Sequence, residues 1–318
     1  MDKNSKILVT GSGGMLGSSI VNILKDLGYI NIFTPRKIEL DLTKGNDVNK
    51  YFKLNSPDYV FLVAAKVGGI YANMTYRADF IYENLMIESN VINCCHLYNI
   101  KKLIFVSSGC VYPKDSKNPI IEDEILTGKL EPSNEHYSIA KIAGIKMCEA
   151  YYHQYGLKYS VVIPNNIYGP NDNFHPENSH VMASLIRKIH NAKVNNYDYV
   201  EIWGSGNQFR EFIYVDDVAI ACINLMNSEY IGSFNCSSEY EISIKELAYL
   251  ISNIIEFKGQ LIFNRNKPEG HLRKGFSCKK LRNTGWSHNI LLKDGIKKSY
   301  EWYLQNEDKK NTDSKINK

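Results

Sequence analysis

The run Lys6-Ile7-Leu8-Val9-Thr10, followed at once by Gly11-Ser12-Gly13-Gly14-Met15-Leu16-Gly17, constrains the fold of this chain more than any other feature. The apolar stretch reads as a buried strand. The glycines then turn it directly into a helical pattern that continues to about Leu27, with Gly28 placed to cap it. Glycine lets backbone N–H groups come close to a phosphate, and the start of a helix adds positive potential. Gly11, Gly14 and Gly17 are spaced G-x-x-G-x-x-G, with Gly13 as an extra glycine. An ordinary tight turn also uses glycine, but a loop between a buried strand and a helix favours pyrophosphate binding.

Strands and helices go on alternating behind this loop. Further strands are expected at 30–34, 59–63, 102–106 and 159–163, and long helices at 80–98 and 135–155. Continuously apolar strands separated by helices predict an α/β fold of Rossmann type, a doubly wound parallel sheet covered on both faces. The alternation loosens after Pro164, where loops rich in Asn, Gly and Pro begin, with a further helix expected near 181–192. The expected division is a dinucleotide-binding domain over 1–165, with a return segment near 210–235, and a smaller discontinuous α/β lobe over 166–305 for the substrate. The polar tail 306–318 is expected to be disordered.

Composition narrows the partners. The chain has 318 residues, 38 basic against 34 acidic, for a net charge of +4. That balance does not suit nucleic acid. No segment approaches ~18 uninterrupted apolar residues, so no membrane span is expected. Met1 to Lys6 shows no apolar stretch of signal-peptide form. The 7 cysteines form no C-x-x-C pair, which argues against a disulfide framework or a metal site and fits the reducing cytoplasm.

Three sets of residues carry chemistry. After the second strand, Thr34-Pro35-Arg36-Lys37 offers two cations where an acidic residue often holds the ribose 2′-hydroxyl. Arg36 and Lys37 suit a 2′-phosphate and so NADP(H), and Asp41-Leu42 is expected to flank the adenine. A solvated loop would also carry such charges. Tyr137 and Lys141 lie four residues apart and share one face of a helix. A tyrosine normally titrates near about 10, and an adjacent ammonium favours the phenolate, so Tyr137 is expected to move protons. Val106-Ser107-Ser108-Gly109-Cys110 follows the fourth strand, where parallel sheets place ligands, and a serine there can bond a carbonyl oxygen beside Tyr137.

Ser108, Tyr137 and Lys141 in this order after a glycine loop resemble the extended short-chain dehydrogenase/reductase superfamily. Longer stretches are more specific. Ala64-Ala65-Lys66-Val67-Gly68-Gly69-Ile70, Asp79-Phe80-Ile81-Tyr82-Glu83-Asn84, Tyr137 through Lys146, Tyr168 through Pro176, Trp203-Gly204-Ser205-Gly206 and Arg210-Glu211-Phe212 resemble the GDP-L-fucose synthase family. That resemblance implies NADPH-dependent reduction at carbon 4 of a GDP-4-keto-6-deoxy sugar, with epimerisation at carbons 3 and 5, by a homodimer. Both carbons are alpha to the ketone, so their protons are acidified, and the enolate oxygen needs donors such as Tyr137 and Ser108. The resemblance assigns the proton exchange to Cys110 and His180, residue types that titrate on either side of neutrality. It places Pro164-Asn165-Asn166-Ile167 beside the nicotinamide and counts His180 among the cofactor-binding residues as well. Arg187, Trp203, Arg210, Glu269 and Lys274 would hold the GDP-sugar.

Two departures stand out. Relatives can carry an arginine where this chain has Gly13, and a serine where it has Gly109. Two other readings fit parts of the pattern. One is a carbon-4 reductase, with or without epimerase activity, for a different GDP-4-keto sugar such as a 6-deoxy-heptose or dideoxy hexose. The other is an NDP-sugar 4-epimerase or dehydratase, which recycles its cofactor.

Overall fold

The computed structural model describes residues 1–176, 179–267 and 272–316. The central sheet has six parallel strands in the order β2 (Ile32–Phe33), β1 (Ile7–Thr10), β3 (Tyr59–Leu62), β4 (Lys102–Val106), β5 (Tyr159–Pro164) and β9 (Gly232–Cys236). Every residue of β1, β4 and β5 is buried. Helices on both faces therefore enclose the sheet, and the expected α/β class is present. Strand order reverses between β1 and β3, which opens a crevice at their carboxyl ends.

The helices follow in chain order: α1 (Met15–Asp26), α2 (Gly45–Asn55), α3 (Ile70–Thr75), α4 (Arg77–Leu97), α5 (Glu135–Tyr155), α6 (Val181–Val194), α7 (Val215–Met226), α8 (Ile244–Ile255), α9 (Lys279–Arg282) and α10 (Leu292–Ile316). α1 starts at the glycine loop and ends before Gly28, whose φ of +83° suits a residue without a side chain. α4 packs along α5, burying Phe80, Asn84, Ile87 and Glu88 on one side and Ser138, Lys141, Gly144 and Ile145 on the other. α2 has no counterpart in the sequence reading, because it is polar and buries only Val48 and Phe52. The backbone of the polar tail continues α10 as far as Ile316, beyond what its composition predicts.

Two small sheets stand apart from the large one. β8 (Phe209–Tyr214) lies between β10 (Glu241–Ser243), which is antiparallel to it, and β6 (Asn166–Tyr168), which is parallel. β7 (Tyr199–Trp203) pairs in parallel with β11 (Gln260–Asn264). α8 opens on a capping box in which Ser243 and Glu246 satisfy each other's backbone N–H groups. Asp217, at the start of α7, accepts the backbone N–H groups of Asn289 and Ile290, while its carbonyl accepts the Trp286 indole. These bonds hold the segment ahead of α10 onto α7.

Candidate active site

A cavity of about 980 Å³ runs along the carboxyl ends of the central strands, from the glycine loop to Tyr137, Lys141 and the first turn of α6. That is the upper range of small-molecule sites. The loop at its start is built for close approach. Gly11 has φ +70°, and a Cβ there would lie 2.9 Å from the Ala64 backbone. A Cβ on Gly17 would sit 2.1 Å from the Gly11 carbonyl oxygen. A side chain at either position would collide with backbone, so only glycine lets strand, loop and helix pack this closely. Gly14, the N-cap of α1, places no side-chain oxygen on the first N–H groups. Those donors stay available, and the cradle fits a dinucleotide pyrophosphate.

All the other positions assigned to the dinucleotide line this cavity, but Gly109 does not. A Cβ on Gly109 would lie 2.6 Å from the Phe276 ring, so this position serves packing, and the serine expected there would collide. At Gly13 a Cβ meets nothing within 4 Å, so the lack of an arginine there has no steric cause.

At the far end from Tyr137, the expected cations are already engaged. Arg36 lies 3.7 Å from Glu39, and Lys37 lies 3.8 Å from Glu83. Glu83 also accepts from Lys66 at 2.6 Å. The Asp41 carboxylate takes the hydroxyl and N–H of Thr43, and those bonds hold its pKa below the usual carboxylate range.

At the other end Tyr137 and Ser108 are half-buried, over the buried Lys141, Glu88 and Cys110. β4 ends in a 3₁₀ turn, Gly109–Val111, whose preceding Ser108 faces Tyr137 and also caps the turn at the Cys110 N–H. Burial pushes the Tyr137 hydroxyl well above its ordinary value, Cys110 and Glu88 add to the rise, and a hydrogen bond with Ser108 opposes it. Lys141, four residues on, is engaged with other partners. Its ammonium is 5.9 Å from the Tyr137 ring centroid, but 3.1 Å from Glu88 and 3.1 Å from the Val106 carbonyl oxygen. The sequence reading missed Glu88, which lies one turn beyond the Asp79–Asn84 motif on the same face of α4.

His180 is the N-cap of α6 and lines the cavity. Cys110 is buried within electrostatic reach of Tyr137 and Lys274. Burial lowers the pKa values of Arg210 on β8 and of Lys274, and the Arg210 charge lowers that of Lys274 further. Arg187 on α6 donates to the Pro176 carbonyl at 3.3 Å. Trp203 ends β7, exposed, with the Lys188 and Lys267 ammonium groups 5.4 Å and 5.3 Å from its ring centre. Glu269 lies outside the described residues.

Glu211 was quoted only as part of a motif, but it is the hub of this region. It is buried and accepts from the Asn165 amide at 2.9 Å, the Ser237 hydroxyl at 2.5 Å and the Phe276 N–H at 3.1 Å. Asn165 also donates to the Lys274 carbonyl at 3.2 Å. The end of β5 is thereby tied to the segment that carries Lys274, and the Asn165 amide is committed to protein partners.

A parallel sheet with a phosphate loop after β1 and a Ser-Tyr-Lys set at the other end of one cleft defines a dinucleotide-dependent enzyme class. The chain belongs to the NAD dependent epimerase/dehydratase family, whose model matches residues 7–236. Within that class it is 50% identical over 308 residues to a putative GDP-L-fucose synthase 2 of Arabidopsis thaliana, covering 96% of this chain and 94% of the relative. It is 43% identical over 314 residues to the GDP-L-fucose synthase of Escherichia coli strain K12, covering 96% and 98%. The solved structure of a GDP-mannoheptose C4 reductase from Campylobacter jejuni with NADP bound superposes with a TM-score of 0.88 at 40% identity, covering 96% and 99%.

Proposed function

We propose that this chain is an NADPH-dependent reductase of the carbon-4 ketone of a GDP-4-keto-6-deoxy sugar, with epimerisation at carbons 3 and 5, giving GDP-L-fucose or a close analogue. The observation that carries the reading is one cleft lined by the phosphate cradle, Ser108, Tyr137, Lys141 and His180. The fucose synthase relatives, similar over nearly the whole chain, support the sugar.

NADPH, when bound, supplies the hydride that reduces the ketone. In this reading Tyr137 and Ser108 donate to the ketone oxygen, and Tyr137 delivers the proton as the alcohol forms. The raised Tyr137 pKa suits that role, since a donor must be protonated at neutral pH. During epimerisation the same two hydroxyls stabilise the enolate oxygen, while Cys110 and His180 remove and return protons at the neighbouring carbons. Lys141 holds the ribose at the Tyr137 end, and Arg36 and Lys37 take the 2′-phosphate. The lobe over 166–305 holds the GDP-sugar, with Arg210 and Lys274 on the diphosphate, Arg187 beside them and Trp203 against an exposed ring. No role is assigned to Glu269.

Incubation with NADPH and GDP-4-keto-6-deoxy-D-mannose tests the reading. One NADPH consumed per sugar, with solvent deuterium at carbons 3 and 5 by NMR, is the expected result. Reduction without deuterium favours the second reading, a C4 reductase like the Campylobacter jejuni neighbour. No net NADPH consumption with any GDP-4-keto sugar rejects both.

Three broader statements belong to the same proposal. The enzyme works in the cytoplasm, which fits 7 buried free cysteines. Its product feeds polysaccharide assembly. It forms a homodimer through α4 and α5, which leave Tyr82, Leu97, Ile139, Tyr152 and Tyr155 exposed. Light scattering at twice the 36.4 kDa chain mass is the expected result.

A further inference from the structure

Glu211 takes no part in the chemistry above, yet three segments around the cleft meet on it. One carboxyl oxygen, Oε2, accepts from the Asn165 amide just past β5, from the Ser237 hydroxyl just past β9 and from the Phe276 N–H. Glu211 is 2% exposed, and all three donors are neutral. A residue needed only to fill this space would be apolar, because a buried carboxyl is costly unless its oxygens are bonded. The bonds reach further through Asn165. Its amide also donates to the Lys274 carbonyl at 3.2 Å, and its own oxygen accepts the Asn166 N–H at 3.0 Å and the Asn166 amide at 2.8 Å. The Asn166 amide donates in turn to the Glu211 carbonyl at 2.8 Å.

Two walls are joined in this way. Pro164, Asn165 and Asn166 line the same cavity as Ser108 and Tyr137. The segment 272–278 carries Lys274 and packs on the turn that bears Cys110: a Cβ on Gly109 would lie 2.6 Å from the Phe276 ring and 3.5 Å from the Pro164 carbonyl oxygen. The same segment is also bonded to the 118–120 loop, where Gly275 donates to the Asn118 side chain at 2.8 Å and accepts from the Ile120 N–H at 2.8 Å. Those bonds keep it attached without Glu211, so losing the carboxyl should shift the segment rather than release it. We propose that Glu211 is a positioning residue for carbon-4 reduction: by holding Asn165 and Phe276 on one oxygen, it fixes the Lys274 segment against the wall formed by 164–167 and so sets the sugar's distance from the nicotinamide. This rests on the reading in which Lys274 takes the diphosphate and 164–167 border the nicotinamide. A misplacement of about 1 Å between reacting atoms can cost about a hundredfold in rate, while the groups assigned to binding, Arg210 and the phosphate cradle among them, stay in place.

The test is turnover of the full chain with GDP-4-keto-6-deoxy-D-mannose and NADPH carrying hydrogen or deuterium at the transferred position. Glu211→Ala should lower kcat by about tenfold to a hundredfold, with an isotope effect on kcat at least as large as that of wild type, because a misaligned hydride transfer becomes the slow step. The Kd values of NADPH and of GDP, by calorimetry, should stay within about threefold of wild type. Glu211→Gln keeps an oxygen for the three donors and should restore kcat to within about threefold. Ser237→Ala removes one donor without cutting the tie between the two walls, and kcat should stay within about twofold of wild type. An unchanged kcat or a smaller isotope effect in Glu211→Ala overturns the proposal, and so does a loss that falls on the two Kd values instead. A Gln variant as slow as the Ala variant, or an equal loss in Ser237→Ala, means that the network is merely structural and also overturns it. Should Glu211→Ala fail to fold, Asn165→Ala cuts the same tie while leaving Ser237 and Phe276 on Glu211; the same fall in kcat is expected, and an unchanged kcat rejects the proposal. A wild-type chain that reduces no GDP-4-keto sugar sinks the functional reading and this role together, whereas wild-type turnover matched by the Ala variant sinks this role alone.

Discussion

The two ends of the cleft hold their cations in opposite ways. At the nicotinamide end, Lys141 and Glu88 are 2% and 1% exposed and 3.1 Å apart. At the adenosine end, Lys37 and Glu83 are 76% and 25% exposed and 3.8 Å apart. Burial makes the first pair a unit, because either charge alone would be stranded in a low-dielectric recess. Water and salt screen the second, so its members are free to exchange partners, as the proposed uptake of a phosphate there would require. One cleft thus combines a buried, fixed ion pair at one end with an exposed, adjustable one at the other.

Substitutions at the buried end should have the largest effects. Tyr137→Phe should lower kcat by about a hundredfold to ten-thousandfold with NADPH affinity little changed, measured by NADPH oxidation and by fluorescence titration. Equal losses in both would place Tyr137 in binding instead. Lys141→Met strands Glu88, so unfolding in urea should show a loss of about 3–5 kcal/mol, and adding Glu88→Gln should recover most of it. A loss that the second change leaves untouched would mean that the pair is not a unit.

Proton exchange can be separated from reduction. Cys110→Ser or His180→Gln should slow deuterium uptake at carbon 3 or 5 by about a hundredfold or more, while reduction of a substrate already epimerised continues. The pH dependence of reduction has a definite sign. The raised Tyr137 pKa keeps the donor protonated at neutral pH, so activity should be lost only as pH rises toward that value.

The exposed end should yield the smallest changes. Glu83→Gln frees Lys37 and Lys66 from a competing carboxylate and should tighten NADPH binding by about two- to fivefold, an effect that fades in high salt. Gly13→Arg adds a cation where a Cβ meets nothing within 4 Å and should act in the same direction. An unchanged NADPH-to-NADH affinity ratio in both variants would place the 2′-phosphate elsewhere.

The legible parts of this molecule are those written in short stretches of chain. The phosphate loop could be read because glycine spacing between an apolar strand and a helix is a local signal. α5 was read to the residue, since a long regular helix bounded by Asn134 and Gly156 carries its own limits. α2 was missed because its two buried side chains leave little periodicity. The partners of charged groups were missed for another reason: no local rule says that Glu88 meets Lys141, that Glu211 gathers Asn165, Ser237 and Phe276, or that Phe276 forbids a side chain at position 109.

The sequence by itself determined the α/β class, the dinucleotide loop and the presence of Ser108, Tyr137 and Lys141 on elements that converge. Backbone freedom at glycine and the two periodicities of strand and helix act between near neighbours, so they can be read from the chain. The tertiary structure alone decided which partners the Lys141 charge meets. Packing α4 on α5 over Gly144 placed a carboxylate 3.1 Å from the ammonium, and Coulomb energy between buried groups follows distance in space, not separation along the chain.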